Sequence, residues 1–320
     1  KNKKTTIQYD DLGGYVWSDH VIDRNFNLCD IGNCDYKRFI GNVCGNNSER
    51  IRSMESTIGF MLHAHKNLSY CPAVILNDEV ISDNPEGGTG KGLFMNALSK
   101  MKKVVTIDGK SFTFERLFSV VTEGLTLEKK NKDAIKIPFS KSPKIAITTN
   151  YAIKGSGNSF ARRKWELELH QHYNKNFTPL DDFGKLMFGD WGDDEWCGFD
   201  NYMIGCLQGY LSGGLKKSEF VNLNTRQLSS DTSHEFIEWC GLVEGSEGSA
   251  NLPTNSRLNT NQLYYDFIEE YPDYQSRGGN SSLSRNKFYK WLVSFAIFKE
   301  GIKPEVGRDV HGKFIIIKTK

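Results

Sequence analysis

The feature that most constrains the fold is a series of short apolar segments that alternate with helical patterns. Three of these segments are rich in β-branched residues and are predicted as buried strands, namely AVILNDEV (73–80), VVTID (104–108) and PKIAITTN (143–150). Helical patterns follow the first two, LFMNALSKM (93–101) and FERLFSVVTEG (114–124). Strands that are apolar on both faces and separated by helices indicate an α/β fold with a parallel sheet covered by helices.

Length and charge limit the class of protein. At about 150 residues per domain, the 320 residues predict two or three domains. The 41 Lys+Arg and 39 Asp+Glu give a formal net charge of +2, which excludes a histone-like polycation but allows a locally basic surface that binds DNA. No apolar stretch approaches the roughly 18 residues of a membrane span, and no apolar signal-peptide core is visible. We therefore expect a globular protein without a membrane contact.

The seven cysteines are predicted to be free thiols, because their number is odd and no secretion signal is visible. Cys29, Cys34 and Cys44 lie near one another in the sequence. They form no Cys-x-x-Cys pair, and no histidine follows at the spacing of a zinc site. A metal site is therefore not predicted there.

The remaining segments predict further elements. Residues 48–66 have the apolar spacing of an amphipathic helix with Ser48 as its N-cap. Residues 125–139 have β-type ends around a polar tip, which indicates a hairpin. The polar, turn-rich segments 216–232 and 245–260 are predicted as linkers or loops. Three helical patterns followed by a two-strand hairpin fit a small winged-helix unit. The helical patterns are HEFIEWCGLV, NQLYYDFIEEY and SRNKFYKWLVSFAIF, and the strands of the hairpin are IKPEV and KFIIIK.

The strongest local motif is a glycine-rich turn between the first predicted strand and the helix after it. Glycines let backbone N–H groups turn toward a phosphate, and the helix N-terminus adds partial positive charge. Lys91 would then reach the β- and γ-phosphates of a nucleotide. Pro85 replaces the usual first glycine and Gly92 replaces the usual Mg²⁺-binding Ser or Thr, so a plain surface turn is the alternative. The predicted phosphate-binding residues are Glu86, Gly87, Gly88, Thr89, Gly90, Lys91, Gly92 and Leu93.

A second motif follows the third predicted strand, which stops at Asn150 and is followed by Arg162 and Arg163. In ring ATPases an Asn at a strand tip can orient the attacking water. An Arg after it can reach the γ-phosphate of the neighbouring subunit and stabilise the charge of the transition state. We predict these catalytic roles for Asn150 and for one of the two arginines, for which a solvated basic pair is the alternative.

Several segments occur in an order and spacing that are fairly specific. They are GGTGKG (87–92), TEGLTLEKKNK (122–132), SPKIAITTNY (142–151), FARRKWELE (160–168), TPLDDFGKLMFGDWGDDEW (178–196) and FDNYM (199–203). With them the chain resembles superfamily 3 helicases of the poxvirus-type primase-helicase group, most of all the replication proteins of phages and integrated elements of Bacteroidetes bacteria. The resemblance covers roughly residues 58–300.

This resemblance implies an AAA+-like P-loop ATPase that uses ATP and Mg²⁺ and unwinds DNA 3′ to 5′ as a hexameric ring at a replication origin. The cell compartment implied is the cytoplasm of a bacterial host. Three regions follow from it: a helical collar at 1–70, the ATPase at 71–215 and a winged-helix-like DNA-binding region at 216–320. Whether a primase domain precedes Lys1 stays open.

The resemblance breaks at the Walker B strand, an apolar strand ending in two acidic residues that the family has between the phosphate loop and the hairpin. The only strand pattern in that interval is VVTID, and its Asp108 stands at the place of the family's second strand. Three explanations stay open. A segment near 109–114 is absent from the sequence, the protein lacks Walker B naturally, or Asp78 and Glu79 supply the carboxylates for Mg²⁺.

Two groups of basic residues are candidate DNA contacts. Lys129, Lys130 and Lys132 lie near the hairpin tip, where related rings carry a channel hairpin that contacts single-stranded DNA. A solvated charged loop is the alternative. In the C-terminal unit, basic residues among aromatic ones are predicted to contact duplex DNA, with a plain surface as the alternative. These residues are Arg285, Lys287, Lys290, Arg308 and Lys313.

Two functions of different classes fit these observations. The first is an ATP-driven DNA helicase that works as a homo-oligomeric ring on single- and double-stranded DNA. The second is a nucleotide-binding DNA adaptor or origin-binding initiator without motor activity. Asn150 and the arginine pair favour the first function, whereas Gly92 and the missing Walker B strand favour the second.

Overall fold

The computed structural model of the chain divides into two units. Unit 1 comprises Lys1–Tyr151 and Gly155–Val221, and unit 2 comprises Ala152–Lys154 and Asn222–Lys320. The structure describes residues 7–80, 87–107, 109, 113–128, 130, 133–150, 153, 158–243, 247–275, 283–310 and 312–319, without the side chains of 19, 158 and 226.

Unit 1 is built from helices and short strands in mixed order. Along the chain these are α1 (Asp35–Val43), α2 (Ser48–Leu62), β1 (Ala73–Asp78), α3 (Lys91–Met101), α4 (Phe118–Thr122), β2 (Gly124–Leu127), β3 (Ile135–Pro138), β4 (Ala146–Thr148), α5 (Asn158–Ala161), β5 (Lys164–Leu169), α6 (Pro179–Phe183) and α7 (Asp193–Gly213).

The centre of unit 1 is a three-stranded parallel sheet in the order β4–β1–β5. Val74 of β1 lies opposite Ala146 of β4 and Trp165 of β5. All six residues of β1 are buried, as expected for an apolar strand with a neighbour on each side and helices on the sheet. The predicted α/β class with a parallel sheet covered by helices is confirmed. One apolar core joins the sheet to buried side chains of α1, α2, α3 and α7.

Two of the predicted helices have different boundaries in the structure. The helix predicted over 48–66 ends at Leu62, and its N-cap is Asn47 instead of Ser48. The Asn47 Oδ1 accepts hydrogen bonds from the backbone N–H groups of Glu49 (2.9 Å) and Arg50 (3.1 Å), which have no partner inside the helix. The helix predicted from residue 93 begins at Lys91, because the glycine-rich loop leads directly into it.

The predicted strand VVTID is wrong for residues 104–107, and Asp108 lies outside the described residues. Val105 is 77% exposed and Ile107 is 85% exposed. Among the described strands, none pairs with the outer edge of β4. A β-type segment forms a strand only when a neighbour supplies its hydrogen-bond partners, and no described strand does so here. The helix predicted over 114–124 is a 3₁₀ turn, Phe114–Leu117, followed by α4.

The predicted hairpin is confirmed as the antiparallel pair β2–β3, in which Gly124 lies opposite Pro138. Gly124 has a φ of 129°, and a Cβ there would lie 2.4 Å from the Ile137 carbonyl oxygen, so this position requires glycine. Below the hairpin, the buried Lys66 ammonium donates to the Ser142 hydroxyl at 2.6 Å. It also lies 4.1 Å from the centre of the Phe139 ring. Lys66 therefore fixes the base of the hairpin to the body of unit 1.

The prediction that all cysteines are free is wrong for Cys29 and Cys197, which form a disulfide with a Cα–Cα distance of 6.2 Å. The segment that carries Cys29 packs on α7 because Arg24 pairs with Asp200, with Nε 2.8 Å from Oδ2. The Asn201 amide also donates to the Asn27 carbonyl at 2.6 Å. These contacts bring together two cysteines 168 residues apart, which the sequence gives no means of pairing.

Unit 2 contains α8 (Leu223–Asp231), α9 (His234–Trp239), β6 (Arg257–Asn259), α10 (Thr260–Glu270), α11 (Arg285–Glu300), β7 (Glu305–Asp309) and β8 (Gly312–Ile316). The sheet is antiparallel in the order β6–β8–β7. The predicted helices and terminal hairpin are present, whereas α8 and β6 lie in segments predicted to be linkers. An aromatic core that includes Phe236, Phe267 and Phe288 holds the unit together.

Among the described helices of the chain, none has the length and apolar character needed to cross a membrane.

The contact between α2 and α7 generates a test of the fold. A Cβ on Gly59 of α2 would lie 2.3 Å from the Cys206 carbonyl oxygen of α7. We expect Gly59→Ala to lower the free energy of unfolding of unit 1 by about 1–3 kcal/mol, because the two helices must separate. The measurement is urea unfolding followed by circular dichroism. Gly205→Ala on α7 is the matched control, because a Cβ there meets no described atom within 4 Å. It should be neutral or stabilising by up to about 1 kcal/mol, and equal stability of the two variants would contradict the packing.

Candidate nucleotide-binding site

The loop that connects β1 to α3 has an unusual backbone. Gly87, Gly88 and Gly90 all have left-handed conformations, with φ of 72°, 81° and 104°. Such a run of left-handed glycines beside ordinary residues turns successive N–H groups toward one side and forms an anion-binding concavity. The N-terminus of α3 lies directly behind it and adds the positive end of the helix dipole. Glu86, also predicted to bind phosphate, lies outside the described residues.

The loop packs closely against α1. A Cβ on Gly90 would lie 2.8 Å from the Phe39 ring and 3.3 Å from a methyl group of Val43. Glycine is therefore required here for both its conformation and its size. A helix from the region predicted as the collar thus forms one wall of the loop.

The predicted phosphate-binding lysine has a carboxylate partner. The Lys91 ammonium and the Thr89 hydroxyl both hydrogen-bond to Oδ1 of Asp78, the last residue of β1. The Lys91 and Asp78 side chains are only 10% and 7% exposed. The other oxygen of this carboxylate, Oδ2, is buried and has no hydrogen-bond partner among the described residues. A buried ion pair with one unused acceptor oxygen therefore joins the end of β1 to the start of α3.

The unused oxygen decides which of the two predicted carboxylates fits Mg²⁺. Asp78 Oδ2 and the Thr89 hydroxyl are hard oxygen donors at the loop, the type of ligand that Mg²⁺ prefers. Glu79 is engaged elsewhere, because its Oε2 lies 2.6 Å from Arg50 Nη1 and 3.4 Å from His170 Nδ1. Asp78 therefore fits the ion and Glu79 does not. Gly92 is exposed and has no hydroxyl to add.

The predicted water-orienting residue lies next to the loop. Asn150 follows β4, which is parallel to β1, so both strands end at the same edge of the sheet. The Asn150 Nδ2 is 3.9 Å from the position that a Cβ on Gly87 would occupy. An amide at this place can hydrogen-bond to a water or phosphate in the loop. The structure therefore brings together two predicted site residues, Gly87 and Asn150, that lie 63 positions apart in the chain.

The two predicted finger arginines differ in their surroundings. Arg163 is buried, donates to the Ser159 carbonyl oxygen at 2.8 Å and has its guanidinium carbon 4.4 Å from the centre of the Phe118 ring. Arg162 is exposed. Because Arg163 is engaged within its own subunit, Arg162 is the better candidate to reach a neighbour.

The candidate DNA contacts lie on both units. On the β2–β3 hairpin, Lys130 is exposed, and Lys129 and Lys132 lie outside the described residues. In unit 2, the basic residues predicted to contact duplex DNA are exposed on α11 and on the strands β7 and β8, and these are Arg285, Lys287, Lys290, Arg308 and Lys313. The Lys313 ammonium lies 5.5 Å from the centre of the Tyr289 ring of α11, so helix and sheet share one basic surface.

Sequence reasoning missed the part of the site that follows β5. A Cβ on Gly88 would lie 3.9 Å from the Asn174 carbonyl carbon, which places the segment 170–177 against the loop. The strand that leads there, KWELEL (164–169), alternates charged and apolar residues, which is the signal of a strand with one buried face. This alternation identifies β5. No sequence pattern indicates that Arg50 pairs with Glu79.

Comparisons with known proteins add little to this geometry. No protein-family model and no curated protein matches the chain. The matching solved structures include three apo structures of the C-terminal region of NrS-1, two of them described as residues 305–718 of that protein. Identity is 13%, 14% and 12%, and the TM-scores are 0.40, 0.42 and 0.37. The matches cover 92%, 91% and 92% of this chain and 79%, 76% and 80% of those chains. At these TM-scores the likeness assigns neither a fold nor a function.

The ion pair in the loop generates a test of nucleotide binding. We expect Lys91→Ala to abolish binding of a fluorescent ATP analogue, because the main charge facing the phosphates is removed. Lys100→Ala, on the same helix, removes the same charge farther from the loop and should bind like wild type. The double variant Asp78→Asn, Lys91→Ala leaves no unpaired buried charge, so its failure to bind would not arise from misfolding. Wild-type affinity in both Lys91 variants would exclude this loop as the phosphate site.

Proposed function

We propose that the protein is an ATP-dependent DNA helicase of superfamily 3 type, a replicative motor of a phage or mobile element. The observation that carries this proposal is the loop between β1 and α3, which combines three left-handed glycines, a buried lysine and a neighbouring asparagine. Those three features meet the needs of a triphosphate that is bound and then hydrolysed. The glycines and the lysine would bind the phosphates, and the asparagine would orient the water that hydrolyses the terminal one.

Binding of the triphosphate competes with Asp78 for Lys91. The loop N–H groups and the α3 N-terminus favour an anion at the loop, where it can take over the charge-assisted hydrogen bonds of the ammonium. Lys91 then contacts the β- and γ-phosphates, Asp78 Oδ1 keeps the hydrogen bond from the Thr89 hydroxyl, and Asp78 Oδ2 stays available. Asp78 and Thr89 are the residues that would hold Mg²⁺, together with water and phosphate oxygens. The ion, when bound, would neutralise charge that develops on the phosphate oxygens.

The attack on the γ-phosphate needs an oriented water and a compensating positive charge. Asn150 lies beside the loop and can orient the water through its amide. Arg162 is exposed and not constrained by the contacts that hold Arg163, so in a ring it can extend to the nucleotide of the next subunit. Because each site would then need an arginine from the next subunit, the active form would be a homo-oligomer, and we expect a hexamer.

Trans action of the arginine has a direct test by subunit mixing. An Arg162→Ala subunit retains Lys91, and a Lys91→Ala subunit retains Arg162. We expect each variant alone to hydrolyse ATP poorly and mixtures of the two to regain part of the activity, because some interfaces then combine an intact loop with an intact arginine. Phosphate release is measured across a series of mixing ratios. If wild type is active and no mixture exceeds its parent variants, Arg162 does not act in trans.

Single-stranded DNA is proposed to contact the β2–β3 hairpin. The hairpin strands are largely exposed, and the described lysines Lys130 and Lys136 are on its surface. The Lys66 anchor gives the hairpin a fixed base, which a loop that tracks a DNA strand requires. Each phosphate contact that is lost should reduce the slope of log affinity against log salt by about 0.7.

The hairpin prediction concerns the triple variant of Lys129, Lys130 and Lys132 to Ala. We expect weaker binding to single strands of any sequence and a flatter salt dependence, while ATP binding is retained. The measurement is a salt titration by fluorescence anisotropy. A control variant replaces Lys37, Lys216 and Lys217 with Ala. These are three exposed lysines of unit 1 outside the hairpin, so the control has the same net charge as the hairpin variant. If both triple variants have the same slope as wild type, the hairpin is a solvated loop.

A second function has an observation in its favour. Among the described strands, none pairs with the outer edge of β4, so no second strand ending in acidic residues is found beside the β1–β4 pair, and Gly92 supplies no hydroxyl for Mg²⁺. The alternative is therefore a nucleotide-binding DNA adaptor or origin-binding initiator that binds ATP without turnover. Phosphate release separates the two functions. A motor releases phosphate faster than the Lys91→Ala variant and responds to DNA, whereas an adaptor binds the ATP analogue but releases no more phosphate than this variant.

A further inference from the structure

Aromatic rings lead away from the phosphate loop toward solvent. The ring of Phe39, which touches the position of a Cβ on Gly90, is stacked with that of Tyr173 at 5.8 Å and an interplanar angle of 13°. Tyr173 is in turn stacked with Phe177 at 6.1 Å and 22°. His172 lies edge-on to Phe177 at 5.7 Å. We call these four residues the aromatic ladder.

The inner part of the ladder is buried and hydrogen-bonded. Tyr173 is fully buried, and its hydroxyl donates to Asp182 Oδ2 at 2.8 Å and accepts from the Asn42 amide at 2.9 Å. Burial raises the pKa of the Tyr173 phenol, which therefore stays protonated and uncharged at neutral pH. Phe39 is also fully buried. These two rings are core residues that support whatever lies on them.

The outer end of the ladder is different, because Phe177 is 39% exposed. Its backbone is held in a tight turn, in which Asn174 Oδ1 accepts from the N–H groups of Asn176 at 2.9 Å and of Phe177 at 3.2 Å. A single exposed phenylalanine is common on protein surfaces and by itself indicates nothing. This one is held in place by a turn, stacks on a buried ring and follows a residue, Asn174, that lies against Gly88 of the phosphate loop.

The direction of a bound nucleotide follows from the sheet order. β1 lies between β4 and β5, so the loop after β1 has Asn150 on one side and the segment 170–177 on the other. If Asn150 orients water at the γ-phosphate, the terminal phosphate lies on the β4 side. The ribose and base then extend away from it, toward the β5 side where the aromatic ladder reaches solvent.

We infer that Phe177 and His172 form the base-binding platform of the nucleotide site and bind the purine of a purine nucleoside triphosphate by stacking. This inference rests on the proposed phosphate loop and adds the part of the site that selects the ligand. Stacking accepts any flat base and favours the larger ring face of a purine, so ATP and GTP bind alike and more tightly than CTP or UTP. Base–aromatic stacking accounts for a substantial share of nucleotide affinity.

The test separates the base from the phosphates by using two probes, ATP and inorganic tripolyphosphate. Phe177→Ala is expected to weaken ATP binding roughly ten- to hundredfold and to leave tripolyphosphate binding unchanged. Tyr70→Ala, which removes a ring with a similar exposed fraction of 40%, is the matched control and should bind both probes like wild type. His172→Ala should weaken ATP binding less than Phe177→Ala, because its ring lies beside the stack.

A conservative variant gives a direct optical signal. In Phe177→Trp the platform is retained, ATP affinity should be close to wild type, and the added indole fluorescence should be quenched by ATP but not by tripolyphosphate. Binding of both probes by wild type with unchanged ATP affinity in Phe177→Ala overturns the platform and leaves the phosphate loop intact. Loss of both probes in Phe177→Ala also overturns it, because Phe177 then acts on the loop itself. Failure of wild type to bind either probe overturns the proposed function and this inference with it.

Discussion

The carboxylate of Asp78 is the interaction on which the candidate site depends. It stands at the last position of the most buried strand and binds the Thr89 hydroxyl and the Lys91 ammonium, so it joins the end of the sheet to the start of α3. Removing one partner of such a buried pair leaves an uncompensated charge, which typically costs about 3–5 kcal/mol. A phosphate can take the place of Asp78 at the lysine, because it restores an anion there, and the charge of Asp78 would then be compensated by the Mg²⁺ that Asp78 and Thr89 are proposed to hold. The same pair therefore joins the two ends of the loop and holds the ammonium that an anionic ligand would bind.

The sequence predicted the parts of the fold in which one signal dominates. Residues 73–76 are apolar on both faces, and the position of their strand in the middle of the sheet follows from that property. Glycines at 87, 88 and 90 indicated a turn between strand and helix, and the left-handed conformations that they adopt there are ones that glycine reaches without steric cost. The hairpin at 124–138 followed from the change between β-type and polar residues.

Other parts depend on partners that a local pattern does not contain. The segment 104–107 has the composition of a strand and yet forms none, since strand formation requires a neighbour and β4 has no described partner on its outer edge. The strand β5 was missed although its alternation of charged and apolar residues is a strand signal. That alternation predicts one solvated face, whereas the charged Glu168 is buried together with Leu167 and Leu169. The ion pair between Arg50 and Glu79 and the disulfide between Cys29 and Cys197 join distant segments, and no spacing rule links them.

Helices α1 and α2 change how the nucleotide site should be understood. Phe39 of α1 packs against Gly90, and Arg50 of α2 pairs with Glu79, the residue after β1. The same α1 carries Asn42, which binds the hydroxyl of Tyr173 in the aromatic ladder. These helices come from the region that the resemblance assigns to a collar, and they contact the loop on the side where the base is inferred to lie. A shift of the loop on nucleotide binding would therefore press directly on α1, because Gly90 and Phe39 have no free space between them. If subunits meet through this region, the ring interface and the nucleotide site are connected by these contacts of α1 and α2.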